Sequence, residues 1–253
     1  MIGHFRVVRA VPLLGAGIAA MLLLTGCVAK LAAPGSSDGT SPSHSSPKQS
    51  SETGAETSAA LFDAVSRDDV PEIGRLIAAG ADIEVRNGND QTPLIAATKA
   101  NRITAARALI EAGADVNAKD EIQDSAYLYA GAEGYNEILT LTLENGADLA
   151  STNRYGGTAL IPAGEHGHVE TIRLLLEAGV DPDHINKLGW TALQEAVLLG
   201  TDGPDHQESV KLLIAGGADV NLRDSKGNTP LKNAEDRGSR NLAALIRAAG
   251  GHR

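Results

Sequence analysis

Hydrophobic and polar positions follow three different patterns along this 253-residue chain. Near the start, Arg6 and Arg9 precede an apolar run from about Val11 to Leu24. That run is shorter than the roughly 20 residues a membrane-spanning helix needs. A charged front and a short apolar middle instead predict a signal peptide over residues 1–26. From Val28 to about Thr57 the chain is Ser, Gly, Pro and other polar residues with no apolar period, so it cannot bury enough surface to order itself. Residues 27–56 are therefore expected to be a flexible tether with an r.m.s. span of roughly 30 Å, at 5–6 Å times the square root of length. Beyond residue 57 apolar pairs recur, such as Leu109/Ile110, Leu175/Leu176 and Leu213/Ile214, each on a short segment bounded by polar and glycine residues. This pattern predicts an all-α domain over 57–253.

The helical part repeats itself. Thr92-Pro93-Leu94 returns as Ser125-Ala126-Tyr127, Thr158-Ala159-Leu160, Thr191-Ala192-Leu193 and Thr229-Pro230-Leu231, at spacings of 33, 33, 33 and 38 residues. Gly80-Ala81-Asp82 keeps step with it, as Gly113-Ala114-Asp115, Gly146-Ala147-Asp148, Gly179-Val180-Asp181 and Gly217-Ala218-Asp219. Each Thr can cap a helix by accepting from an orphan backbone N–H, and Pro93 suits a first turn where no N–H is needed. The small residues Ala97, Ala130, Ala163, Ala196 and Ala234 let neighbouring helices approach closely. Gly134, Gly167, Gly200 and Gly238 then allow a turn into a second helix. The Gly of each Gly-Ala-Asp phrase ends that helix in a left-handed conformation.

A 33-residue unit with Thr-Pro-Leu near its start and Leu-Leu-x-x-Gly-Ala-Asp near its end resembles the ankyrin repeat. The resemblance implies an ankyrin-repeat solenoid of about six helix-turn-helix units joined by short β-turn or hairpin connections. The first unit (about Ala59 to Arg86) and the last, from Gly227, read as caps, as solenoid ends commonly do. This sequence departs from the family in two ways. The His that usually follows Thr-Pro-Leu is replaced in every copy, by Ile95, Leu128, Ile161, Gln194 and Lys232, so its hydrogen bonds between repeats must be made otherwise or not at all. The fifth unit also carries five extra residues, Thr201-Asp202-Gly203-Pro204-Asp205, read as a loop extension after which Asp205-His206-Gln207-Glu208 forms a capping box. Ser125-Ala126-Tyr127 makes the start of the third unit the least well marked.

Composition agrees with close-packed thin helices: 42% hydrophobic residues but only 3% aromatic. Residues 1–56 hold four Lys/Arg and three Asp/Glu, leaving 18 basic and 29 acidic residues on the repeats, a net charge of −11. Nucleic acid is not an expected partner, because phosphate contacts require a basic footprint. The single cysteine, Cys27, excludes disulfides and a cysteine-based metal site. Leu24-Thr25-Gly26-Cys27 resembles the bacterial lipobox, which implies lipidation of Cys27 as the first residue of the mature protein and a membrane partner through that lipid. The expected location is extracytoplasmic. With Val28 rather than Asp after the cysteine, that means the periplasmic side of the outer membrane in a Gram-negative host and the cell membrane in a monoderm.

No nucleophile elbow, phosphate loop or HExxH occurs, and no cofactor is expected. Glu165-His166-Gly167-His168 with Asp181, Asp183 and His184 is the best case for a metal-dependent hydrolase, but His166 falls on a variable surface position and His168 where the family often carries His. In ankyrin proteins the partner usually lies on the concave face, formed by turn tips and the exposed side of each first helix. In this register that face changes from mostly polar or small to aromatic and apolar in units four and five. Its candidate contacts are Ile122, Arg154, Tyr155, His166, Lys187, Leu188 and Trp190, with Tyr155 and the only Trp as anchors, since Trp, Tyr and Arg are enriched at interface hot spots. The expectation is a non-catalytic monomer that binds another protein. A spacer with no hot spot is the alternative. The resemblance is compatible with support of a catalase in peroxide defence and equally with an immunity-like protein that blocks a toxin.

Overall fold

The computed structural model describes residues 48–253, so the leader, Cys27 and most of the tether lie outside the described residues. Twelve helices and no strand form among the described residues, in six pairs. Unit one holds α1 (Lys48–Ser66) and α2 (Val70–Ala78), unit two α3 (Pro93–Lys99) and α4 (Ile103–Glu111), unit three α5 (Ala126–Glu133) and α6 (Asn136–Glu144). Unit four holds α7 (Leu160–His166) and α8 (Val169–Ala178), unit five α9 (Ala192–Leu198) and α10 (Pro204–Ala215), unit six α11 (Pro230–Asp236) and α12 (Arg240–Ala248). The odd-numbered helices pack in one row and the even-numbered in a second behind it. α1 takes up nine residues, 48–56, that composition assigned to the tether. The last proline of that stretch is Pro47, and no other follows until Pro71.

The repeated phrases do what their chemistry dictates, with one exception. Thr92, Ser125, Thr191 and Thr229 each accept at Oγ from the N–H three residues on, at 3.2 Å. Ser125, the least well marked start, therefore caps normally, and Thr158 is the one that does not. Its Oγ1 is buried without a partner. The cause is Pro162. In the other units the residue four after the cap donates its N–H to the cap carbonyl, but Pro162 has none, so Thr158 O accepts from Ile161 N at 3.2 Å and draws that donor away from Oγ1.

Ala97, Ala130, Ala163, Ala196 and Ala234 are buried, as close stacking requires. The approach is tightest at Gly131 and Gly164, where an added Cβ would lie 2.7 Å from Ala159 Cβ and 2.8 Å from Ala192 O. Of the residues in the missing histidine's place, Ile95, Leu128 and Ile161 are buried apolar side chains. Gln194 rebuilds the bridge to the next unit: its Nε2 donates to Leu222 O at 3.0 Å, and its Oε1 accepts from Asn233 Nδ2 at 2.8 Å.

The insertion in unit five does not form the expected capping box. α10 starts at Pro204 behind Gly203, with no side-chain cap, and so absorbs Asp205 to Glu208 into its first turns. Asp202 instead reaches the next unit, accepting from Asn241 N at 3.0 Å and Leu242 N at 2.9 Å at the start of α12. Gly200 is required for space rather than for a left-handed turn, because an added Cβ would meet His206 Cδ2 at 2.1 Å.

Candidate protein interface

The tips between units share one construction. Asn87, Asp120, Asn153, Asn186 and Asp224, each five residues before the Thr or Ser of the repeated phrase, accept from the backbone N–H groups two and four positions on, at 2.9–3.1 Å. These bonds satisfy the turn's donors locally. The residues two positions on are Asn89, Ile122, Tyr155, Leu188 and Lys226, so the tips are apolar in the three middle units and polar at both ends.

Between these three tips and helices α5, α7 and α9 runs a groove of about 410 Å³. Its tip side is formed by Ile122, Arg154, Tyr155 and Leu188, and its helix side includes Tyr129, Glu133, Pro162, Glu165, His166, Glu195 and Leu199. The large apolar side chains left exposed among the described residues are Ile122, Tyr155, Ile185, Leu188 and Leu199, and all but Ile185 line this groove. The Arg154 guanidinium stacks 4.7 Å from the Tyr155 ring centre, holding both side chains over the rim. At the unit-three end Lys99 Nζ binds Asp120 at 2.6 Å, stands 3.8 Å from Asp124 and lies over the Tyr129 ring.

Five of the seven contacts expected from the sequence thus meet in one groove: Ile122, Arg154, Tyr155, His166 and Leu188. Lys187 is exposed but folds along the tips, its Nζ donating to Arg154 O at 2.9 Å. Trp190 is half-buried and does not line the groove. Sequence reasoning passed over Tyr129, Pro162 and Glu195, the residues four after the cap. A helix places that position on the same side as the one eight after the Thr, where His166 stands.

Glu195 is the most unusual member. It is 6% exposed, and Oε1 accepts from Asn186 Nδ2 at 2.7 Å. Burial, reinforced by the nearby Glu165 carboxylate, pushes its carboxyl up to about 7.

Known proteins share this repeat architecture. Residues 18–120 and 126–224 match the family described as ankyrin repeats (3 copies). The chain belongs to the ankyrin-repeat family. A solved ankyrin repeat domain from Acinetobacter baumannii AYE is 54% identical with a TM-score of 0.74, covering 76% of this chain and 98% of that one. The ankyrin repeat protein EF0377 is 40% identical with a TM-score of 0.72, over 76% and 97% of the two chains. The ankyrin repeat domain of Bcl-3, a member of the IkappaB family, is 30% identical with a TM-score of 0.70, over 76% and 86%. The ankyrin repeat protein YahD of Escherichia coli K12 is 43% identical over 58 residues, which are 23% of this chain and 29% of that protein. The chain thus spans under a third of that curated relative's length.

Ankyrin repeats are protein–protein interaction modules, and their fold is typically non-catalytic. In this ankyrin domain the His166 and His168 rings of the metal reading meet edge to face at 5.4 Å, whereas His166 and His184 are engaged separately. His166 Nδ1 faces Ala132 O at 3.0 Å and His184 Nε2 faces Gly156 O at 2.7 Å, each holding its own unit to the one before. Among the described residues no three His, Cys, Asp or Glu side chains gather at a spacing that could hold a metal ion.

Proposed function

We propose that this ankyrin protein is an exported, lipid-anchored monomer whose groove across units three to five binds another protein. The observation that carries the reading is the gathering of exposed apolar side chains, Ile122, Tyr155, Leu188 and Leu199, along one groove. Scattered surface leucines need no explanation, but a contiguous apolar patch rimmed by polar groups marks an interaction site. The anchor rests on the sequence: Arg6 and Arg9, the apolar run, and Cys27 closing Leu-Thr-Gly-Cys. Lipid on Cys27 would hold the chain at a membrane outside the cytoplasm, with the tether lifting the repeats off the surface.

The test is affinity capture of membrane-extracted proteins on the full chain, beside a Tyr155→Ala/Leu188→Asp chain whose helicity matches wild type. The expected result is a protein identified on wild type and lost from the double variant, with Cys27→Ser shifting the chain out of the membrane fraction. Equal capture by both chains would reject the groove and favour a spacer or an edge contact.

A further inference from the structure

The groove carries an imbalance that its apolar rim does not explain. Asp124, Glu133, Glu165 and Glu195 line it, against one guanidinium, Arg154, and the imidazole of His166. Arg154 is stacked on Tyr155, and Asp124 has Lys99 nearby. Among the described residues no Lys, Arg or His nitrogen lies within ion-pair distance of Glu133, Glu165 or Glu195.

Glu195 turns this from a solvated acidic surface into a binding feature. More than nine-tenths of the residue is buried where it lines the groove, and among the described residues its carboxyl has one hydrogen bond, from Asn186 Nδ2 to Oε1. A buried carboxylate half-satisfied in this way is costly to ionise, and a cation entering the groove removes that cost. Apolar surface stands on the path in, at Leu188, Leu199 and Pro162, and aromatic faces at Tyr129 and Tyr155. A long basic side chain matches this sequence of surfaces, because its aliphatic stem packs on apolar groups while its charged head seeks carboxylates and ring faces.

We infer that the groove's occupant is a protein segment that lays apolar side chains on Leu188, Leu199 and Tyr155 and sends a Lys or Arg side chain down to Glu195 and Glu165. This rests on the reading of the groove as a docking surface and adds the partner's chemistry to it. The net charge of −11 on residues 57–253 favours the approach of such a segment and disfavours an acidic one.

The test selects short random peptides displayed on phage against the immobilised full chain, with the Tyr155→Ala/Leu188→Asp chain as counter-selection. Selected peptides are then synthesised and titrated calorimetrically. Groove-dependent peptides are expected to carry Lys or Arg beside an apolar residue. Glu195→Gln, which keeps the oxygen that accepts from Asn186, should weaken them about thirtyfold, the low end for unpairing a desolvated charge. Replacing the peptide's Arg by uncharged citrulline should cost the wild-type chain the same factor and the Glu195→Gln chain much less, the signature of a direct pair. Glu165→Gln, at a less buried position, gives a second reading of the same coupling. Groove-dependent peptides that are neutral or acidic, or indifferent to both Gln variants, would overturn the basic-segment inference while leaving the docking groove intact. A selection with no groove-dependent peptide would overturn both.

Discussion

Thr158 and Thr191 are the same residue at the same place in successive repeats, yet only Thr191 caps its helix. The difference comes from Pro162, which removes one N–H and so diverts the donor that would otherwise reach Thr158 Oγ1. A buried hydroxyl without a partner is a cost, and an isosteric methyl group removes it. Thr158→Val should therefore leave the urea unfolding midpoint unchanged or raise it, whereas Thr191→Val should cost about 1 kcal/mol. Equal losses at the two positions would contradict this account. Glu195 makes a second prediction, through pH. Its carboxyl sits at about 7 in the folded chain against an ordinary 4.5, so folding favours the protonated form. The associated stability is fully present below about 4.5 and is lost as pH rises through about 7. Glu195→Gln should therefore gain on wild type between about pH 4.5 and about pH 8, by on the order of 2 kcal/mol. A stability gap that stays flat across that range would refute it.

Helix starts and stops were legible in the sequence because each is set within a few residues. The capping Thr acts on an N–H three positions away, and the Gly of each Gly-Ala-Asp phrase takes a positive φ, between 85° and 101°, within two residues of the end of its helix. The insertion was not legible. Asp205 and Glu208 have the spacing of a capping box, but Pro204 fits the first turn of a helix and lets α10 begin before them. What Asp202 does depends on residues 39 and 40 positions away, at the start of α12, and no local pattern announces that. The extra residues thus pin unit five to the terminal unit. Asp202→Ala should destabilise the chain by about 1 kcal/mol, the usual cost of losing a helix cap, and should first raise amide exchange in α12. Exchange that rises equally in α2 would show a global effect instead. The groove was half legible for a similar reason. Tips and late helix positions follow the repeat register, whereas its floor at Tyr129, Pro162 and Glu195 appears only once the helix pitch is applied to the fourth position. Trp190, singled out by residue type, lies half-buried beside the groove rather than in it.

Across the molecule, each unit packs chiefly on its neighbours, so the domain presents a row of similar tips whose chemistry can change unit by unit. Here the two ends are polar and the middle three units are apolar above an acidic floor. The groove belongs to no single repeat, because Ile122, Tyr155 and Leu188 come from three successive units. Docking there uses a surface that folding has already ordered, which keeps the entropic cost of binding low. The most direct measurement is the affinity of the captured partner for wild-type chain and for the Tyr155→Ala/Leu188→Asp chain, both verified as folded by circular dichroism. The groove account predicts a loss of about a hundredfold or more, since truncations at interface hot spots cost about 2 kcal/mol or more. Equal affinities would contradict it and move the binding site elsewhere on the solenoid.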